Sequence, residues 1–235
     1  MTNLNTLSEQ LLLTVKKEDN YASLVETLAH ISTDEFKKQL IDDQHKIAFW
    51  INIYNSFFQI LRKDKHLKQP KIYTAKEMRM AGQKLSLDDI EHGILRRFRY
   101  KYSLGYLPNP FASALIKSWA VRSIDFRIHF ALNCGAKSCP PIAFYSVDQL
   151  EEQLDLAGTS FIEVDSKINH KKKVMHISRL FLWFLKDFGG TKGARQIIGK
   201  YLQQDVTGYK IVYNHYSWEE HLDNYDEKRF NSPMP

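Results

Sequence analysis

Apolar positions recur at helical spacing from the start of the chain to about residue 110. The spacing predicts an amphipathic helix over residues 4–17. It predicts a second over 21–31, where Leu24, Leu28 and Ile31 share one face. Thr33, followed by Asp34, Glu35 and Phe36, has the form of an N-cap with an acidic first turn, and opens a run toward Asp43. Residues 45–62 are apolar nearly all round, which predicts a buried central helix. Asn52 and Asn55 interrupt that surface from one face, with Ala48 one turn before Asn52 leaving room beside it. Buried amides must be hydrogen-bonded, so the pair either caps neighbouring loops or lines a site.

A helix beginning after Ser86 comes next. Ser86 and Asp89 have capping-box spacing, and Ile90, Ile94 and Phe98 fall on the side expected to be buried. His92 and Arg96 are one turn apart, as are Glu91 and Leu95. Gly93 beside them would cost a helix about 1 kcal/mol relative to Ala, and predicts the close approach of another backbone.

The period then changes. Residues 125–133 alternate, with Ile128, Phe130 and Leu132 on one side and Arg127, His129, Ala131 and Asn133 on the other. That pattern predicts a strand with one core face and one polar face. A thiol-bearing loop, Cys134-Gly-Ala-Lys-Ser-Cys-Pro-Pro, follows it. Further on, the patterns predict a helix over 147–156 and a hairpin pairing 160–165 with 172–177. They also predict an aromatic-rich helix over 178–188, a helix over 193–202, a strand over 210–213 and a frayed tail from residue 224. The aromatics Phe181, Trp183 and Phe184 read as core. With no strong linker, the whole reads as one α+β domain: a helical N-terminal half packed on a small mixed or antiparallel sheet.

With 43% hydrophobic and 13% aromatic residues in 235, the chain can fill a core without staples. The net charge of +6 is spread over separated clusters and comes without a nucleic-acid-binding motif, so it reads as a solvated basic surface. No window approaches the length of apolar sequence that spans a membrane. The N-terminus lacks a basic start followed by an apolar run of signal length. A cytoplasmic protein with reduced thiols is the expectation. No nucleotide or phosphate-loop fingerprint is present, and no cofactor is expected. The expected partner is a small molecule or a protein, with no role in binding nucleic acid.

The candidate chemistry centres on Cys134 and Cys139, the only cysteines. In a thiol hydrolase or acyl transferase, Cys134 would be the nucleophile, His129 or His92 the base, and Asn52 or Glu91 the group that orients the imidazole. In a zinc site, both cysteines with His129 and His92 would supply the ligands, but the spacing between them is loose for one, and no metal is expected. In a binding module without catalysis, Arg96, Arg127 and His92 would hold an anionic group, since Arg offers a two-pronged donor. Asn55, Asn133, Ser138 and Cys139 complete the candidate binding set. The thiol loop could equally be a packing element.

The segments FWINIYN, LSLDDIEHGILRR and DFRIHFALNCGAKSCPPI together resemble the domain of unknown function 547 family, and FIEVD, ISRLFLWFLKDFG and YKIVYNHYSW agree with it. The resemblance runs over about residues 44–218 and implies a domain at 44–222, an N-terminal helical extension at 1–43 and a tail at 223–235. It implies signature positions at Trp50, Asn52, Tyr54, Asn55, Glu91, His92 and Arg96, and then at Arg127, His129, Asn133, Cys134, Ser138, Cys139 and Pro140. Phe126 and Ala81-Gly82 depart from the family pattern, and neither belongs to the polar cluster. The family name settles no activity, so the resemblance implies a fold and a residue set but no reaction.

Overall fold

The longest apolar run organises the molecule. A computed structural model describes residues 3–227. In it the run forms helix α4 (Asp43–Lys63), with every residue from Ile47 to Leu61 buried. Asp42 caps it by accepting the His45 N–H at 3.0 Å. Helices α1 (Leu4–Lys16), α2 (Ala22–His30) and α3 (Thr33–Gln39) precede it. The α3 cap is Ser32, one residue earlier than the pattern suggested, accepting from the Glu35 N–H. Phe36 of α3 sits among Phe49, Trp50 and Trp119 in an aromatic cluster with edge and tilted contacts.

Helix α5 (Lys71–Thr74) and a short hairpin, β1 (Met78–Met80) with β2 (Gln83–Leu85), lead to a π-helix at Asp89–Leu95. Then come α6 (Ala114–Trp119), a 3₁₀ helix at Phe126–Phe130 and α7 (Leu150–Asp165). Strands β3 (Lys167–Asn169) and β4 (Val174–Ile177) pair antiparallel, and β5 (Lys210–Tyr213) joins β4 in parallel, making a mixed sheet. Between them run α8 (Leu180–Trp183) and α9 (Gly190–Leu202). The chain is a single α+β domain with two main core clusters. One surrounds α4; the other joins the sheet to α7, α8 and α9.

Several expectations are corrected. Residues 126–130 form a 3₁₀ helix, not a strand, and belong to no sheet. Asp125 caps this helix by accepting the Arg127 N–H at 2.9 Å. The alternation misled because both sides of the segment are buried: Ile128, Ala131 and Leu132 enter the α4 core, while Phe130 enters the sheet core. Residues 160–165 are the end of α7, so the hairpin partner of β4 is β3. The helix expected over 178–188 is regular only at Leu180–Trp183. The expected buried helical position at Phe98 lies past the π-helix, in left-handed backbone. Gly93 meets a side chain, not a backbone: a Cβ there would come within 2.8 Å of Ile116 Cγ2.

The start of the tail is paired. Ile142 N–H donates to Asn224 O at 2.7 Å and Asp226 N–H donates to Ile142 O at 2.8 Å. The remainder, 228–235, lies outside the described residues. Among the described residues no helix is long and apolar enough to cross a membrane.

Candidate functional site

A cleft of about 500 Å³ opens where the π-helix, the 3₁₀ helix, α8 and the thiol loop meet. Its walls are largely aromatic and include Tyr54, Tyr73, Trp183, Phe184, Tyr216 and Trp218. Its polar groups include Glu91, His92, His129 and Asp88, and both sulfurs border it. That volume suits a small molecule, and apolar walls with a few convergent polar groups are the usual form of such a site.

Local backbone chemistry aims the polar groups. Ser86 and Asp89 form the reciprocal cap that their spacing suggested: Ser86 N–H donates to Asp89 Oδ2 at 2.9 Å, and Asp89 N–H donates to Ser86 Oγ at 3.2 Å. The helix they start is wound as a π-helix, and Arg96 N–H reaches back five residues to Glu91 O at 2.9 Å. Arg96 Nη1 donates to His92 Nδ1 at 2.7 Å, so the proton of neutral His92 sits on Nε2. Burial, then the Arg96 charge, pushes His92 down to about 3, so the ring is neutral at pH 7.

Asp187 links the two histidines. Its Oδ2 accepts Arg96 Nε at 2.6 Å and His129 Nε2 at 3.0 Å, and the three side chains are almost wholly excluded from solvent. Burial alone would raise the Asp187 carboxyl, but hydrogen bonds from His129 and Arg96 hold it below the ordinary value. His129 is pushed down, chiefly by burial. Its Nε2–H therefore points to Asp187 and its Nδ1 is the basic atom. The ring stacks on Phe184 with centroids 3.8 Å apart, and Arg96 lies over the same ring at 4.6 Å. Gly105, at φ +85°, closes the far side: a Cβ there would fall 2.5 Å from Asp187 Oδ1. Glu91 and Asp88 are the carboxyls that line the cleft. Burial pushes Glu91 up against the opposing pull of Arg96 and His129, and Tyr54 O–H donates to it at 3.2 Å.

The thiol loop is closed on itself by a Cys134–Cys139 disulfide. The expectation of two reduced thiols is therefore corrected: neither sulfur is a thiolate here. Asn133 shapes the loop from within, its Nδ2 donating to Pro140 O at 2.7 Å and its Oδ1 accepting Gly135 N–H at 2.7 Å. Ser138 Oγ accepts Ser217 N–H at 2.9 Å, Lys137 N–H donates to Glu219 O and His221 N–H donates to Gly135 O. These bonds fasten the loop to residues 217–221 and bring Tyr216 O–H within 3.3 Å of Cys134 Sγ and 3.1 Å of Cys139 Sγ.

The structure thus brings Glu91, His92, His129, Cys134 and Cys139 to one cleft, with Arg96 directly behind His92. It does not bring the other candidates there. Asn52 is wholly buried, with its amide donating to Tyr145 O at 2.7 Å and to Ser8 Oγ at 3.2 Å, and its Oδ1 accepting Tyr145 N–H at 3.0 Å. Asn55 donates to Ala131 O at 3.0 Å and accepts Asn133 N–H at 2.9 Å, holding the chain between the 3₁₀ helix and the thiol loop. Arg127 turns to a different surface and pairs with Asp125, Glu151 and Asp155. Arg96 is already neutralised by Asp187. Among the described residues, no three His, Cys, Asp or Glu side chains form a group able to hold a metal ion.

Sequence reasoning missed Asp187 and Tyr216 and assigned Trp183 and Phe184 to the core; both line the cleft. One signal for Asp187 was present: an acidic residue embedded in the aromatic run 180–188, available to two basic residues placed for burial. A family model described as "Protein of unknown function, DUF547" matches residues 38–162. Comparison with curated proteins and with solved structures finds no match.

Proposed function

We propose, from the premise that the chain belongs to the domain of unknown function 547 family, that the aromatic cleft binds a small, mainly apolar molecule and acts on its polar group by acid–base chemistry. His129, oriented by Asp187, is the base. Glu91 is the proton donor, and His92 Nε2–H supplies a hydrogen bond. The observation that carries this reading is the convergence of two neutral histidines and a carboxyl of raised pKa on one apolar cavity. Burial separates the protonation states of these groups, and such separation assigns donors and acceptors for proton transfer near neutral pH.

A saturable aromatic ester series tests it, with p-nitrophenyl esters as turnover probes and Trp183 and Trp218 fluorescence as the binding signal. Wild type should bind and hydrolyse them. Glu91→Gln keeps the shape and should keep binding while losing about a hundredfold or more in turnover. Equal turnover by the variant would refute the acid–base role. Saturable binding without turnover would favour a binding module, though not one built on Arg96 or Arg127, whose charges are already paired.

A second reading keeps Cys134 as the nucleophile of a thiol hydrolase or acyl transferase. It is favoured by the sulfur bordering the same cleft as both histidines. It requires the disulfide to be opened first, so turnover would appear only after reduction and vanish in Cys134→Ser.

A further inference from the structure

The two sulfurs of the disulfide are not equivalent. Cys134 is partly exposed and borders both the aromatic cleft and a neighbouring concavity near Arg62 and Glu220, whereas Cys139 is only 6% exposed. Their hydrogen bonds differ as well. A disulfide sulfur can only accept, so Tyr216 O–H is the donor in its contacts with both sulfurs. Cys139 Sγ additionally accepts the backbone N–H of Cys134 at 3.0 Å. Burial, with the Glu91 charge second, keeps the Tyr216 phenol well above its ordinary pKa, so it retains the proton it donates. Two donors thus surround the buried sulfur, while the other is reached from solvent.

We infer that Cys134–Cys139 is an exchangeable disulfide whose substrate is a small organic thiol with an apolar body, with Cys134 the sulfur attacked and Cys139 the leaving group. In the first step a thiolate RS⁻ enters through the cleft and bonds to Cys134 Sγ. The Cys134–Cys139 bond breaks, and its electron pair leaves on Cys139 Sγ. The negative charge forms between the Cys134 N–H and the Tyr216 O–H, which stabilise it as oxyanion-hole donors stabilise an alkoxide. In the second step another RS⁻ attacks the substrate sulfur of the mixed disulfide and releases RSSR and the Cys134 thiolate. Two protons from the two thiols end on the cysteines. The balance is two RSH oxidised to RSSR and one protein disulfide reduced to a dithiol. This inference stands apart from the acid–base reading above: it uses neither Glu91 nor His129.

The full chain, purified in air, is mixed with phenylmethanethiol and quenched within seconds by excess N-ethylmaleimide, and the peptides are mapped by mass. The expected product carries phenylmethanethiol on Cys134 and maleimide on Cys139. With each rate divided by that thiol's rate on free cystine, phenylmethanethiol should exceed 2-mercaptoethanol about tenfold or more. Tyr216→Phe should slow the first step about tenfold, the loss of one hydrogen bond to a charged group. A mixed disulfide on Cys139, two free thiols in the air-purified chain, equal normalised rates for the two thiols, or exchange no faster than global unfolding would each overturn it. Mapping on wild type decides the matter even where Tyr216→Phe folds poorly.

Discussion

Asp187 is the residue on which the polar cluster turns. A single oxygen of its carboxylate serves Arg96 and His129, and all three side chains are excluded from solvent. Removing the charge alone should therefore be expensive. Asp187→Asn preserves shape but leaves the Arg96 guanidinium in the interior without a counter-charge, and a broken buried pair costs about 3–5 kcal/mol. Arg127 offers the comparison: it also makes several carboxylate contacts, but its side chain is 13% exposed, Asp125 is 19% exposed, and Glu151 and Asp155 are largely exposed, so no member is sealed from solvent. Arg127→Gln should cost about 1–2 kcal/mol, less than Asp187→Asn. Urea unfolding of the two variants checks both figures, and the idea fails if their order is reversed. Asp187 also explains why the site was hard to read residue by residue. The histidines, Glu91 and Arg96 carry recognisable spacing, whereas their shared carboxylate comes from a segment 91 residues beyond Arg96 in the chain.

At the scale of elements, the site depends on irregular pieces held against a regular one. Gly105 belongs to the loop that covers the Asp187–Arg96 pair. Its φ of +85° and the 2.5 Å approach of Asp187 Oδ1 to any added Cβ penalise a side chain twice. Gly93 has no positive φ to strain, and Ala there gains helix propensity, but the added Cβ must displace Cγ2 of buried Ile116, a stiff branch methyl 2.8 Å away. Gly105→Ala should cost about 2–3 kcal/mol and Gly93→Ala about 1 kcal/mol, the overpacking against Ile116 being partly offset by helix propensity, read from thermal midpoints. Equal losses would mean that the cover over the ion pair is not as tight as its geometry.

The same contrast marks how far the chain was legible. The α4 helix, the Ser86–Asp89 box and the β5 strand announce themselves, because each has one environment along its length. Residues 126–130 do not. Their apolar members feed two cores, and of their two polar members His129 is buried and Arg127 is mostly covered, so alternation in type does not mean alternation in exposure. The end of α7 is similar: 160–165 alternates in type, but its continuity with the preceding helical turns decides its state. The site inherits this limit. Residues on the π-helix were found because helical neighbours meet. Asn52 and Arg127 were misplaced because their partners, Tyr145, Glu151 and Asp155, lie in segments whose approach no local pattern encodes.

For the whole molecule, burying neutral histidines ties stability to pH. His92 is held at about 3 in the folded protein against 6.5 when exposed. Between those values the unfolded chain binds the proton and the folded chain does not, so stability rises with pH across the window. The contribution is complete above pH 6.5 and falls as pH drops toward 3, by about 1.4 kcal/mol per pH unit. Glu9 works in the opposite direction. Burial, then the Asp148 charge, pushes it up to about 7, so its contribution is present at low pH and is lost as pH rises through that value. Glu91 is raised as well and has the same sign as Glu9. A wild-type curve alone would blend these slopes with that of His129, which is lowered like His92. His92→Gln separates them. Its amide oxygen can still accept from Arg96 Nη1, and every other titrating group is shared with wild type and cancels in the difference. The gap in unfolding free energy between wild type and His92→Gln should be flat from pH 8 to about 6.5. From pH 6.5 to 4.5 it should move against wild type by about 2 kcal/mol. Urea midpoints at pH 7.5, 5.5 and 4.5 measure it. Parallel curves through that range would mean that His92 takes up its proton in the folded state as readily as in water, and the neutral donor at the polar end of the cleft would be lost with it.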